Sequence, residues 1–94
     1  MKNKVTEERL GTYFRLTEEA YKKALDSKEK INLVNLREKI LDMAKRYIDD
    51  AHHFKNKGDI VTAMSALSYA HGLLDAGALT GLFDVHDSNL FIVD

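Results

Sequence analysis

The side chains here best suited to chemistry are histidines with acidic neighbours. Asp49, Asp50, His52 and His53 crowd one stretch, and His71 and Asp75 follow further along. Asp49 and His53 are spaced i, i+4, as are His71 and Asp75. On a helix that spacing puts both side chains of a pair on one face, where they can share a metal ion. Asp75 is also the one formally charged residue between Asp59 and Asp84. With Arg46 and His71 it forms a candidate polar cluster, for which the plain expectation is an Arg46–Asp75 ion pair. No Ser or Thr has a base set beside it by a recognisable motif, and no glycine-rich loop could cradle a phosphate. With no cysteine in the chain, disulfides, thiolate chemistry and cysteine-based zinc sites are excluded.

Arg46 and His52 have five residues between them, a spacing that resembles the Arg-x(4–6)-His signature of the HEPN ribonucleases. That resemblance implies a helical bundle that places the pair across a dimer interface. On a helix the two side chains here fall about 120° apart, with Arg46 on the polar side. A charged helix face is the simpler expectation, and a HEPN-like ribonuclease is kept as an alternative.

What these residues can do depends on the elements that carry them. The chain has 94 residues, enough for one domain with a modest core. Proline is absent, and Ala, Leu, Lys and Glu are plentiful, which favours helix. At about 100° per residue, residues 6–26 gather Leu10, Tyr13, Phe14, Thr17, Ala20, Tyr21, Ala24 and Leu25 on one arc. Glu8, Arg15, Glu18, Glu19, Lys22 and Lys23 fall opposite. Thr6 suits the N-cap, and Glu7 and Glu8 suit the first turn, where the helix dipole favours acids.

Residues 26–32 form a polar link. A second helix over 34–57 carries Leu36, Ile40, Leu41, Met43, Ala44, Tyr47, Ile48, Ala51 and Phe54 on its stripe. Gly58 suits the left-handed residue after that helix, and Asp59 suits the N-cap of the next. The reversal takes barely two residues, so the second and third helices form a tight antiparallel hairpin. Residues whose numbers sum to about 117 then face each other. That register puts His53 and His71 about seven residues apart along the axis, roughly 10 Å at 1.5 Å per residue. Metal ligands must lie about 2 Å from the ion. The histidine groups therefore do not build one joint site, and we assign neither a metal nor a cofactor.

The third helix, over 59–81, turns Ile60, Ala63, Ala66, Leu67, Ala70, Leu73, Leu74, Gly77 and Ala78 toward the core. Its outer side is also nearly free of charge: Val61, Ser65, Ser68, Tyr69, Gly72, Ala76 and Leu79, with Phe83 beyond. A solvated helix face normally carries Lys and Glu, as the other two helices do. Either the tail, residues 82–94, folds over this face as an extended strap, or another chain packs there.

Net charge is −1 but unevenly placed. All 14 bases lie in residues 1–57 beside 10 acids, giving +4, while residues 58–94 hold five acids and no base, giving −5. Such asymmetry can draw two halves of a chain or two subunits together. It is too interspersed with acids to resemble a nucleic-acid arm, so nucleic-acid binding is not expected. The N-terminus has no apolar stretch behind its lysines, and no run reaches the roughly 18 to 20 apolar residues of a membrane span. The expectation is a cytoplasmic protein without a membrane segment.

Gly58-Asp59, Ala63 and Tyr69-Ala70 resemble the second half of a tetratricopeptide repeat, but residues 1–35 show no second copy. A closer match comes from residues 49–82, DDAHHFKNKGDIVTAMSALSYAHGLLDAGALTGL, with a charged helix ahead of them. This stretch resembles a family of short archaeal proteins, domain of unknown function 357. The resemblance implies a three-helix bundle of archaeal origin and brings no activity, cofactor or catalytic residue. The sequence thus points to an all-α antiparallel three-helix bundle with a short extended C-terminal tail. Its expected role is a non-catalytic interaction module for a protein partner or a second copy of itself. A small ligand-binding protein or enzyme built on Arg46, His71 and Asp75 is the alternative.

Overall fold

Three local stops and starts divide the chain into its helices. The computed structural model describes residues 5–28, 33 and 35–94. Part of the polar link and the start predicted for the second helix at residue 34 lie outside these. Helix α1 spans Glu7–Asp26, α2 spans Leu36–Asn56 and α3 spans Ile60–Thr80. They form an all-α bundle with no strand among the described residues.

The Thr6 hydroxyl opens α1 by accepting the Arg9 amide at 3.1 Å. At the other end of α2, Gly58 takes φ 85°, a left-handed value that a side chain would strain. There the Gly58 amide bonds the Lys55 carbonyl and the Asp59 amide bonds that of Phe54, each at 2.9 Å. This Schellman pair satisfies carbonyls that the helix end would leave open. Asp59 then caps α3 by accepting the Thr62 amide at 3.1 Å. Hydrogen bonds from Thr62, side chain first and amide second, hold the Asp59 carboxyl below its ordinary pKa. One reversal thus ends α2 and starts α3, leaving the two helices antiparallel. The Tyr47 and Tyr69 rings meet across the seam with centroids 4.4 Å apart.

The core is a column of alanines and large aliphatics. Leu10, Phe14, Ala20 and Ala24 of α1 meet Leu41, Ala44, Ile48 and Ala51 of α2 and Ala63, Leu67, Ala70 and Leu74 of α3. Alanine at close approaches lets helix axes come nearer than bulkier residues would allow. Leu25, Leu36 and Met43, read from the wheel as core, are instead partly open to solvent, because each lies at the edge of its stripe.

Gly81, at φ 83°, closes α3 with a second Schellman pair: its amide bonds Ala78 and the Leu82 amide bonds Gly77. The chain then turns back on its own bundle. Leu82, Phe83, Val85, Leu90 and Phe91 are all buried in the core. The tail is a run of turns and irregular backbone rather than a strand. Arg37, in the first turn of α2, fastens this end. Its Nη2 donates to the carbonyls of Ala24, Leu25 and Ser27 at 2.9, 3.1 and 2.7 Å. The guanidinium also lies 5.8 Å from the centre of the Phe83 ring. One cation thus serves the open C-terminus of α1, where the dipole favours positive charge, and covers an aromatic of the tail.

Candidate functional site

His71 lies where α1, α3 and the tail converge. Its Nε2 is 2.6 Å from the Leu90 carbonyl oxygen. A carbonyl can only accept, so Nε2 carries the hydrogen and donates. In the neutral ring Nδ1 then accepts, and the fully buried Thr17 hydroxyl is placed to donate to it at 3.5 Å. The Tyr13 ring stands 5.9 Å from the imidazole, centre to centre. One turn on, Asp75 Oδ1 accepts the Ile92 amide at 3.0 Å and lies 3.9 Å from His71 Nε2. His71 and Asp75 therefore grip the tail backbone at two points.

Two more contacts complete the clasp. The Asp84 amide donates to the Lys28 carbonyl at 2.9 Å. Lys23 Nζ donates to Asp87 Oδ2 at 2.6 Å. That bond raises the Lys23 pKa above its ordinary value. The same bond, followed by the Asn89 amide, holds the Asp87 carboxyl below its own.

The expected Arg46–Asp75 pair does not form. Arg46 is 76% exposed along its side chain, and its Nε pairs with Asp42 Oδ2 at 3.0 Å, one turn back on α2. A neighbour on the same helix is always within reach, whereas Asp75 is taken up by the tail. The structure brings His71 and Asp75 together and leaves Arg46 apart. Surface hollows of about 300, 440 and 490 Å³ are lined by other residues. Arg46 and His52 also serve different neighbours. His52 Nε2 donates to Glu18 Oε2 at 3.2 Å across the α1–α2 groove, and its ring stacks on Phe14 at 4.3 Å. Of the other i, i+4 pair, Asp49 bonds Lys45 and His53 lies edge-on to Phe54. Among the described residues, no group of three or more His, Asp or Glu could hold a metal ion.

The outer face of α3 stands open. Val61 is 60% exposed, Tyr69 53% and Leu79 63%, and Ser65, Ser68, Gly72 and Ala76 between them are exposed as well. The tail does not cover this arc; it lies toward α1, on the edge marked by His71 and Asp75. Phe83, placed on the outer face by the wheel, is corrected to the core, where it is 1% exposed. The helix stops at Gly81, and the reversed chain swings the ring inward beneath Gly77 and Arg37. Ile92 adds a further apolar surface, 65% exposed, at the edge its amide shares with Asp75. A hollow of about 230 Å³ between Tyr69, Gly72 and Leu73 dents the face.

Sequence reasoning missed the Arg37 clamp and the Lys23–Asp87 bond. The first joins residues 10 to 13 apart across a link, and the second spans 64 positions. No local pattern encodes either. The Ala/Gly-rich α3 and its Gly-Asp entry were the readable features.

Among the described residues, no helix is long and apolar enough to cross a membrane. No curated protein and no solved structure matches the chain. The family model of proteins of unknown function DUF357 matches residues 12–83, from the first half of α1 through the α2–α3 hairpin to the ring that plugs the bundle beneath Gly77. With most of its length matched, the chain belongs to the family known as domain of unknown function 357.

Proposed function

We propose that this chain is a non-catalytic protein-interaction module that self-associates through the outer face of α3. The observation that carries the reading is the arc from Val61 to Leu79, exposed, uncharged and left open by the tail. A solvated helix face normally carries charge, and this one has none while it leaves three large apolar side chains open. Behind the face, α3 is packed on α2 along one edge and held by α1 and the tail along the other. The charged exteriors of α1 and α2 suit solvent. An archaeal origin is what the family resemblance implies, and the cytoplasm is the expected setting. Ligand binding or catalysis at Arg46, His71 and Asp75 gains no support from the geometry. Arg46 points elsewhere, and both other side chains are occupied in holding the tail.

Sedimentation velocity of the wild type and of the Ser68→Glu/Gly72→Glu double variant tests this. The wild type is expected to sediment as a dimer and the variant as a monomer. A Cβ at Gly72 meets nothing within 4 Å, and Glu is a better helix former than Gly, so the variant should keep its helicity. Wild type and variant both sedimenting as monomers would remove the reading.

A further inference from the structure

The outer face of α3 has an internal symmetry that specifies how a second copy would sit on it. Val61 and Leu79 are 18 residues apart, which at about 100° per residue is five whole turns. They lie on one line along the helix, roughly 27 Å apart at 1.5 Å per residue. Midway between them is the level of Ala70. Ser68 and Gly72 fall symmetrically about that level, one on each side.

Resting on the self-association reading above, we infer that two copies pack α3 against α3 in antiparallel fashion, across a two-fold axis at the level of Ala70. The axis brings Val61 of one copy onto Leu79 of the other at both ends of the contact. Ser68 of each copy then adjoins Gly72 of the other at the centre. Small side chains there let the helices approach to about 8 Å, the near end of the usual range. Tyr69 of each copy lies beside its own counterpart, next to the hollow it forms with Gly72 and Leu73.

A second copy fits this face better than an unrelated protein for two physical reasons. A two-fold axis sets the residues close to it beside their own copies, so a charge there would meet a like charge. The central arc has none. The area is also sufficient. Val61, Tyr69, Leu79 and, at the edge, Ile92 each leave more than half of a large side chain open, with Ser65, Ser68, Gly72 and Ala76 exposed between them. Together they offer roughly 500 Å² per copy, or about the 1,000 Å² in total that a specific interface requires.

The absence of native cysteine makes cross-linking an unambiguous readout. Val61→Cys and Leu79→Cys chains are prepared separately and oxidised alone and as a mixture. A disulfide needs Cβ atoms about 4 Å apart. The antiparallel pairing predicts a mixed disulfide dimer in the mixture and loss of cross-linking in either chain alone, where the thiols stand about 27 Å apart. Cross-linking of Val61→Cys by itself would mean a parallel pair and overturn the geometry. A dimer by sedimentation that forms no mixed disulfide would likewise overturn the geometry while sparing self-association. A monomeric wild type would overturn both.

Discussion

The ring of Phe83 occupies the space that a side chain at Gly77 would fill. A Cβ built there would stand 2.6 Å from the ring's Cδ2 and 2.9 Å from its Cζ, well inside contact distance. Gly77 is thus a socket for the first aromatic of the tail. Gly77→Ala should destabilise the fold by about 1–3 kcal/mol through overpacking, despite up to ~1 kcal/mol gained in helix propensity. Gly72→Ala, on the same helix with open space around it, should stabilise by up to ~1 kcal/mol. Urea denaturation of both variants checks the opposite signs. Equal effects would show that the socket has no energetic role.

That contrast marks what the sequence could and could not disclose. Spacing alone located three helices, the Gly58–Asp59 reversal and a register that the Tyr47–Tyr69 contact fits. Those features are local: a left-handed glycine, a capping aspartate and a repeat of 3.6. Phe83 was misplaced because a wheel continues past the point where Gly81 ends the helix. Leu25 and Met43 were misplaced because each sits at the edge of its stripe, where a wheel does not tell core from solvent. The tail's route depends on His71, Asp75 and Lys23 meeting residues far along the chain, and that is set by tertiary packing. The open face of α3 was legible as a lack of charge; that it stays uncovered required the tail to be seen elsewhere.

Arg37 is expected to be among the most sensitive polar residues. It donates to three carbonyls at the end of α1 and covers Phe83, while its buried Nε has no hydrogen-bond partner among the described residues. Arg37→Ala should cost about 2–3 kcal/mol, since charged hydrogen bonds are lost and the carbonyls lose a donor. Arg37→Lys should recover only part of this, because an ammonium lacks the planar fork. Thermal unfolding of the two variants would show whether Lys rescues fully, which would argue that charge alone matters.

The tail clasp predicts local loosening before global unfolding. His71→Ala removes the bond to Leu90 and should cost about 1–3 kcal/mol. Asp75→Asn keeps an acceptor for the Ile92 amide and should cost less. Amide exchange read residue by residue should rise at Ile92 and its neighbours in His71→Ala, with the middle of α2 less affected. Uniform exchange throughout the chain would contradict a separable clasp.

Acid and base should act on different contacts. The Asp59 and Asp87 carboxyls have lowered folded-state pKa values, so the unfolded chain takes up their protons first as pH falls. Their contribution is complete above the ordinary aspartate value near pH 4 and is lost as pH falls through their lower folded values. Lys23 is shifted upward, so its contribution is complete below the ordinary lysine value and is lost above about pH 10.5. Because these groups are exposed, both slopes should be shallow and weaken in salt. Urea midpoints across pH, with Asp87→Asn as control, would reveal them. An Asp87→Asn profile identical to wild type at both extremes would contradict the assignment.

Self-association through the open face of α3 is tested most directly by the solution mass of the unmodified chain. Sedimentation equilibrium over about 1 µM to 1 mM brackets the micromolar to millimolar affinities expected of a small interface. The account predicts a mass approaching twice the 10.7 kDa of one chain as concentration rises. A mass that stays at 10.7 kDa across the whole range would contradict it.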